Sequence, residues 1–168
     1  MAHSGSCSII DTGGLESLQT QFSLLFLEPL ETGLTAVTNE KKMNLLYWSP
    51  LHKALLTGNV EVPHSDWQKQ REAEVVAQLL PSAECYGVTL GQLALAWLLK
   101  VPGGTIPLVG TVNVAHIEEA AAVDIVLERD DWYEMVVIAR GPPMPWANRS
   151  IYISKSDDKS TFQIREKR

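Results

Sequence analysis

The sequence predicts an α/β domain organised on a parallel sheet, and three observations predict it. Short apolar runs at Leu18–Leu27, Met43–Trp48 and Ile106–Val109 read as strands buried in a sheet covered on both faces. Helical patterning fills the intervals between them, and Gly or Pro punctuates the joints. The resulting order is strand, helix, strand, helices, strand, helix, helix, which is the alternation of parallel α/β proteins. Two architectures fit that order: a doubly wound open sheet and a (β/α) barrel.

Residues 1–14 are rich in Ser, Gly, Thr and Ala and lack the basic start and apolar middle of a signal peptide. They read as a disordered arm or an expression remnant. Asp11-Thr-Gly-Gly14 is too short, with no flanking strand pattern, to mark an acid-pair protease. The first strand is Gln19-Thr-Gln-Phe-Ser-Leu-Leu-Phe-Leu27, stopped by Pro29, with a helix over Glu31 to Lys42. Met43–Trp48 is the second strand, and Ser49-Pro50-Leu51 leaves its end. A loop over His52 to Ser65 is long enough to cover something. Asp66 to Leu80 is helical, and Pro81 must end it, kink it or open a new helix. Thr89-Leu-Gly-Gln92 has capping-box spacing, and Leu90, Leu93, Ala94, Trp97 and Leu98 behind it form one apolar helical face. Pro102-Gly-Gly104 closes that helix. A last helix starts near Asp130-Asp131, buries Trp132, Met135, Val136 and Ala139, and stops at Gly141-Pro-Pro143.

Composition narrows the class of function. The 168 residues suffice for one modest domain with a real core. No run approaches the roughly 18 apolar residues of a membrane span, and the net charge of −6 argues against nucleic acid as a partner. Residues 142–168 are locally basic and read as a mobile extension. Cys7 and Cys85 form no C-x-x-C pair, so a reduced, cytoplasmic setting is expected. The isolated loop histidines His52 and His64 have no metal-ligand spacing and read as solvated; no metal site is expected.

The stretch Ile106-Pro-Leu-Val-Gly-Thr-Val-Asn-Val-Ala-His-Ile-Glu-Glu119 organises the rest. It reads as a short buried strand with Pro107 at an end or edge, a turn at Gly110, and a helix start. Free N–H groups and the positive dipole end at such a start make an anion site. Asn113 or Thr111 can cap the helix, and His116 can add a donor or partial charge.

That stretch resembles the last strand-to-helix turn of the aldo-keto reductases. Three further segments are similar to the same family in the same order. Gln19 to Leu30 looks like its sixth barrel strand, and Tyr47-Trp-Ser-Pro-Leu51 looks like the seventh. Tyr86-Gly-Val-Thr-Leu-Gly-Gln-Leu-Ala-Leu-Ala-Trp-Leu-Leu99 matches the family's Gly-Val-Thr…Ala-Leu-Ala-Trp helix. Asp130-Asp-Trp-Tyr-Glu134 resembles the terminal helix of its bacterial oxidoreductase branch. The resemblance covers residues 15–141 and implies a partial (β/α)8 TIM-type barrel holding the last three strands with their helices.

The resemblance also implies a cofactor, NADPH, and residues that seat it. Gln21 would bond the nicotinamide carboxamide, and Trp48 would stack on the ring. Ser49 and Leu51 would touch the pyrophosphate. Gly110, Thr111, Val112 and Asn113 would cradle the 2′-phosphate with His116 beside it, and Glu119 would face the adenine. There are departures: Thr20 stands where Asn is usual, and His52-Lys53-Ala54 replaces a Gly-rich run. Asn113 and His116 stand where Lys or Arg often pairs the phosphate, and Ala120 replaces an Asn. The family's catalytic Asp, Tyr, Lys and His belong to earlier strands, so no catalytic residue is assigned and the chain alone is expected to be inactive.

Three readings stay open on the sequence. One is a truncated NADP-dependent oxidoreductase domain. A second is a half-enzyme completed by a partner chain or by self-association through open sheet edges. The third is a non-enzymatic interaction module.

Overall fold

A computed structural model describes residues 16–58 and 67–141, the backbone alone at 67–69. The expected arm at 1–14, the far part of the loop after Gly58, the helix start at Asp66 and the basic extension at 142–168 lie outside the described residues.

The elements are β1 (Ser17–Gln21), α1 (Glu28–Glu31), α2 (Leu34–Glu40), β2 (Asn44–Trp48), a 3-10 turn at Leu55–Thr57, α3 (Trp67–Tyr86), α4 (Leu90–Leu99), β3 (Gly104–Leu108), α5 (Val114–Ala121) and α6 (Arg129–Arg140). The strands form one parallel sheet in the order β1-β2-β3. Helices connect each strand to the next, which is the arrangement of consecutive (β/α) units, and the expected α/β partial barrel is what the chain adopts.

The pairing is in register along all three strands. Asn44 stands between Ser17 and Gly104, Leu46 between Gln19 and Ile106, and Trp48 between Gln21 and Leu108. Paired residues share a face, and alternate residues along a strand change face. One face therefore carries Leu18, Leu45, Tyr47, Thr105 and Pro107. On it Leu45 and Tyr47 are fully packed beneath the helices. The other face carries Gln19, Gln21, Leu46, Trp48, Ile106 and Leu108 and is open. Trp48 is 43% exposed, Ile106 45% and Leu108 37%. The expectation of strands buried on both faces is corrected here: helices cover only one face of the described sheet.

Other boundaries differ from expectation for identifiable reasons. The apolar run to Leu27 is not one strand. β1 ends at Gln21, and Ser23 and Phe26 exchange backbone hydrogen bonds of 3.3 and 3.0 Å in a tight turn. Phe22, Leu24 and Leu27 are buried because that turn folds into the core. An apolar run reports burial, not extension. Pro29, expected to stop the strand, instead sits in the first turn of α1, where its missing N–H costs nothing. Gly33, at φ 78°, separates α1 from α2 in what reads as a single helix. Pro81 does not end α3, which continues to Tyr86. Val75, Val76, Leu79 and Ala83 are buried on both sides of it, and that packing offsets the lost backbone bond. Tyr86 then donates to Asp131 at 2.5 Å and accepts the Glu128 N–H at 3.1 Å, tying α3 to the start of α6.

The Thr89 capping box forms as expected. The Gln92 amide donates to the Thr89 hydroxyl, and the Gln92 side chain accepts the Thr89 N–H. Every residue from Leu90 to Leu98 except Gln92 is buried. α4 is thus the central helix of the core. Its Trp97 stacks on Trp132 of α6 with ring centroids 5.0 Å apart and planes 4° apart. Each indole donates to the other's backbone carbonyl, at 3.2 and 2.9 Å. Phe22 packs edge-on against both Trp97 and Tyr47, so rings link the sheet to the outer helix.

Gly104 starts β3 where a Cβ would lie 2.1 Å from the Asn44 side-chain oxygen. Only glycine fits that cross-strand pair without moving Asn44.

The Tyr47 hydroxyl is buried without a hydrogen-bond partner. Burial pushes its pKa from 10.0 up to about 12. An unpaired buried hydroxyl is destabilising, so Tyr47→Phe should raise stability by about 1 kcal/mol at neutral pH. The sign with pH follows from the raised value. Tyrosine in the unfolded chain ionises first, so stability present below pH 10 falls as pH climbs toward 12. Urea unfolding of both proteins between pH 7 and pH 11 checks this. The variant should show the higher midpoint and the shallower alkaline decline.

Candidate functional site

Parallel strands present their carboxyl ends together, and ligands of α/β folds bind at that edge. Here the last paired row is Gln21, Trp48 and Leu108, all on the open face. The segments that leave this edge are Phe22–Leu27, Ser49–Gly58 and Val109–Asn113. The sequence therefore brings Gln21, Trp48, Ser49, Leu51, Gly110, Thr111, Val112, Asn113 and His116 to one end of the sheet, on segments that follow its strands.

Gln21 is half-buried at the end of β1, and its strand partner Trp48 presents its indole outward. Ser49 takes φ 55°, a left-handed conformation that redirects the chain immediately after β2. Its hydroxyl accepts the Lys53 N–H at 3.3 Å, and its carbonyl accepts the His52 N–H at 2.9 Å. Leu51 packs on the edge of the core and accepts the Leu56 N–H at 3.2 Å through its carbonyl.

Past Leu108 the backbone opens. Gly110 has nothing within 4 Å of where a Cβ would stand, and its φ is not positive. The tight turn expected there is not observed; what glycine leaves is open space beside the backbone. Val112 is fully exposed. Asn113 caps α5, its side-chain oxygen accepting the Ala115 N–H at 3.0 Å. The Thr111 hydroxyl accepts the Asn113 N–H at 3.2 Å and lies 3.4 Å from His116 Nδ1. The expected short buried strand before this turn is corrected: Ile106 and Leu108 point to the open face. Pro107 does lie on an edge of the described sheet, as its missing N–H requires. Ile117, expected on a buried face of α5, is 49% exposed.

Glu119 lies at the far end of α5 and is engaged elsewhere. It accepts the Thr89 hydroxyl at 2.5 Å, and its backbone carbonyl accepts from the Gln92 side chain at 3.3 Å. It docks α5 on the capped start of α4.

The reading of His52 as solvated is corrected. Its side chain is only 17% exposed and lies between two partners, Ser23 at 3.2 Å from Nδ1 and Glu72 at 3.4 Å from Nε2. Glu72 arrives from α3, and no linear spacing announces that meeting. His52, Lys53 and Ala54 also hold φ values of 47°, 54° and 68°. These three side-chain-bearing residues adopt the left-handed conformation that glycine takes freely, consistent with a Gly-rich run at this place in the resembled family. Lys53 is exposed and is the cation nearest in sequence to the β2 edge. No cluster of metal-ligating side chains occurs among the described residues.

What the edge can do chemically follows from its groups. An exposed indole offers an aromatic face, Gln21 offers an amide donor and acceptor, and the Gly110–Asn113 backbone is approachable. The α5 start is only partly available to an anion, since the Thr111 hydroxyl already accepts the Asn113 N–H, the Asn113 side chain the Ala115 N–H, and the Asn113 carbonyl the His116 N–H. An aromatic ring joined to phosphates fits this donor set; a buried metal does not.

Comparison with known proteins matches this architecture. A family profile described as "Aldo/keto reductase family" aligns with residues 12–139. The 6-dehydroglucose reductase of Novosphingobium aromaticivorans is 30% identical over 132 residues, covering 78% of this chain and 41% of that protein. The "Aldo-keto reductase yakc [NADP(+)]" of Schizosaccharomyces pombe is 26% identical over 121 residues, 62% of this chain and 36% of that one. The solved structure of the glycerol dehydrogenase AKR11B4 from Gluconobacter oxydans superposes with a TM-score of 0.62 at 19% identity, covering 77% of this chain and 45% of that one. The chain spans about two fifths of the length of the curated relatives it matches.

The left-handed loop makes a direct prediction. Ala54 is exposed, and its side chain brings only the cost of its conformation. Ala54→Gly should raise stability by roughly 0.5–1 kcal/mol, the relieved strain less glycine's extra unfolded-state entropy. A lower midpoint in urea would count against the loop geometry.

Proposed function

The chain belongs to the aldo/keto reductase family, and on that footing we propose that it forms the cofactor-side part of an NADP(H)-dependent oxidoreductase. The observation that carries this reading is the shared row of Gln21, Trp48 and Leu108 at the carboxyl edge, from which both candidate binding loops depart. In this reading Gln21 holds the carboxamide and Trp48 stacks on the nicotinamide. Ser49 and Leu51 receive the pyrophosphate. Gly110, Thr111, Val112 and Asn113 receive the 2′-phosphate with His116 beside them, and Glu119 would have to leave Thr89 to reach the adenine. Bound NADPH would supply hydride.

Carbonyl reduction also needs a placed proton donor. None of the residues assigned to the edge is given that role, and Tyr47, the only tyrosine in the described strands, points into the core on the other face. The proposal is therefore that this chain alone binds cofactor without turnover. Further barrel units, in the same polypeptide or a partner, supply the catalytic Asp, Tyr, Lys and His. The setting proposed is the cytoplasm; no described helix is long and apolar enough to cross a membrane.

A second reading, an interaction module, is favoured by one observation. β1 and β3 are unpaired on their outer sides among the described strands, and Ile106, Leu108 and Trp48 leave the open face apolar. Association through that face would appear as a mass that rises with concentration in light scattering and falls in Ile106→Lys.

Titration of the purified chain with NADPH, followed by tryptophan fluorescence, tests the first reading. Saturable quenching stronger with NADPH than NADH, and at least tenfold weaker in Trp48→Leu, is the expected result. No saturation up to about 1 mM, a binding free energy of only about 4 kcal/mol, would remove the cofactor reading.

A further inference from the structure

We propose that His52 is a positioning residue, clamped between Ser23 and Glu72 so that the loop leaving β2 is held in its left-handed shape for a pyrophosphate. The role rests on the cofactor reading above and names a part of the site that the reading alone does not contain.

The clamp joins three separate segments. Ser23 belongs to the turn after β1 and is fully buried. His52 stands in the loop after β2, and Glu72 belongs to α3. With the Nε2 proton in place, the imidazole donates toward Glu72 and its Nδ1 accepts from the Ser23 hydroxyl. Both ring nitrogens thus have a partner, and the ring is held in position between them.

The loop needs such a restraint. A non-glycine residue in the left-handed region costs about 1–2 kcal/mol, and three consecutive ones occur at His52, Lys53 and Ala54. Backbone strain of this kind persists only where the surroundings over-determine it. The loop is anchored at its start by Ser49, which receives the N–H groups of both His52 and Lys53. It is anchored at its end by Leu55 and Leu56, which are buried. Between those anchors, Leu51 packs on the edge of the core and His52 supplies the polar side-chain contacts to Ser23 and Glu72. The loop begins directly after Trp48, so its shape fixes where Ser49, Leu51 and the exposed Lys53 stand relative to the open edge.

A glycine that favoured the loop shape by itself would make the clamp unnecessary, which gives the test its discriminating variant. His52→Gly removes the clamp together with the first of the three strained residues, leaving Lys53 and Ala54 as they are. If conformational cost alone mattered, this variant would behave as well as the wild type. Positioning predicts otherwise. In the full chain without ligand, loop amides from Lys53 to Gly58 should exchange with deuterium at least tenfold faster, while amides of β2 and α4 keep their protection. NADPH affinity should fall at least tenfold. Ser23→Ala and Glu72→Ala, which leave the loop backbone untouched, should each lose a few-fold in affinity and shift loop exchange in the same direction.

Unchanged loop exchange in His52→Gly overturns the clamp, as does unchanged NADPH affinity. Equal loss of protection across β2 and α4 also overturns it, because His52 would then be a fold residue only. Wild-type chain that binds no NADPH removes the underlying cofactor reading, and the positioning role with it. Wild-type binding that survives in all three variants removes the clamp alone.

Discussion

In-register parallel pairing of three five-residue strands is the constraint from which the rest follows. Because side chains alternate, one register decides at once which residues enter the core and which meet the open face. Leu45 and Tyr47 go under the helices, while Gln21, Trp48 and Leu108 line up at the carboxyl edge. A slip of one residue in β2 would bury Trp48 and expel Tyr47. Gly104 and Asn44 help to hold that register, since the Asn44 side chain occupies the space a larger residue at 104 would need.

The covered face is held by aromatic contacts that reach from sheet to outer helix. Tyr47 meets Phe22, Phe22 meets Trp97, and Trp97 stacks on Trp132. The two indoles are large apolar surfaces whose N–H groups are both satisfied by the partner's carbonyl, so nothing polar is left over at that junction. The Tyr47 hydroxyl is the exception, buried and unpaired. Rigidity on this side supports the other: the loops that leave the strands start from fixed points, and strain at His52–Ala54 can be sustained beside them.

Much of this was legible in the sequence, and particular residues show why. The Thr89–Gln92 capping box and the apolar face behind it are local patterns, so α4 reads correctly from spacing alone. Trp97 and Trp132 sit on helical faces and read as core. Asn113 is a recognisable cap. What was not legible depends on contacts distant in the chain. The run after Gln21 looked like strand because Phe22, Leu24 and Leu27 are apolar, yet their burial comes from a turn folded inward. Pro81 could end the helix, kink it or open a new one, because its packing neighbours could not be seen. His52 looked solvated because Glu72 and Ser23 lie twenty and twenty-nine residues away. The open face was hidden for the same reason: patterning shows which residues are apolar, not whether a second layer covers them.

The most direct test of the converging-edge account is amide and indole chemical-shift mapping as NADPH is added to isotopically labelled chain. The account predicts shifts at Gln21, at the Trp48 indole, through Ser49–Ala54 and through Gly110–His116, with the Trp97 and Trp132 indoles unmoved. Shifts concentrated on α3 or α6, or confined to one of the two loops, would contradict it.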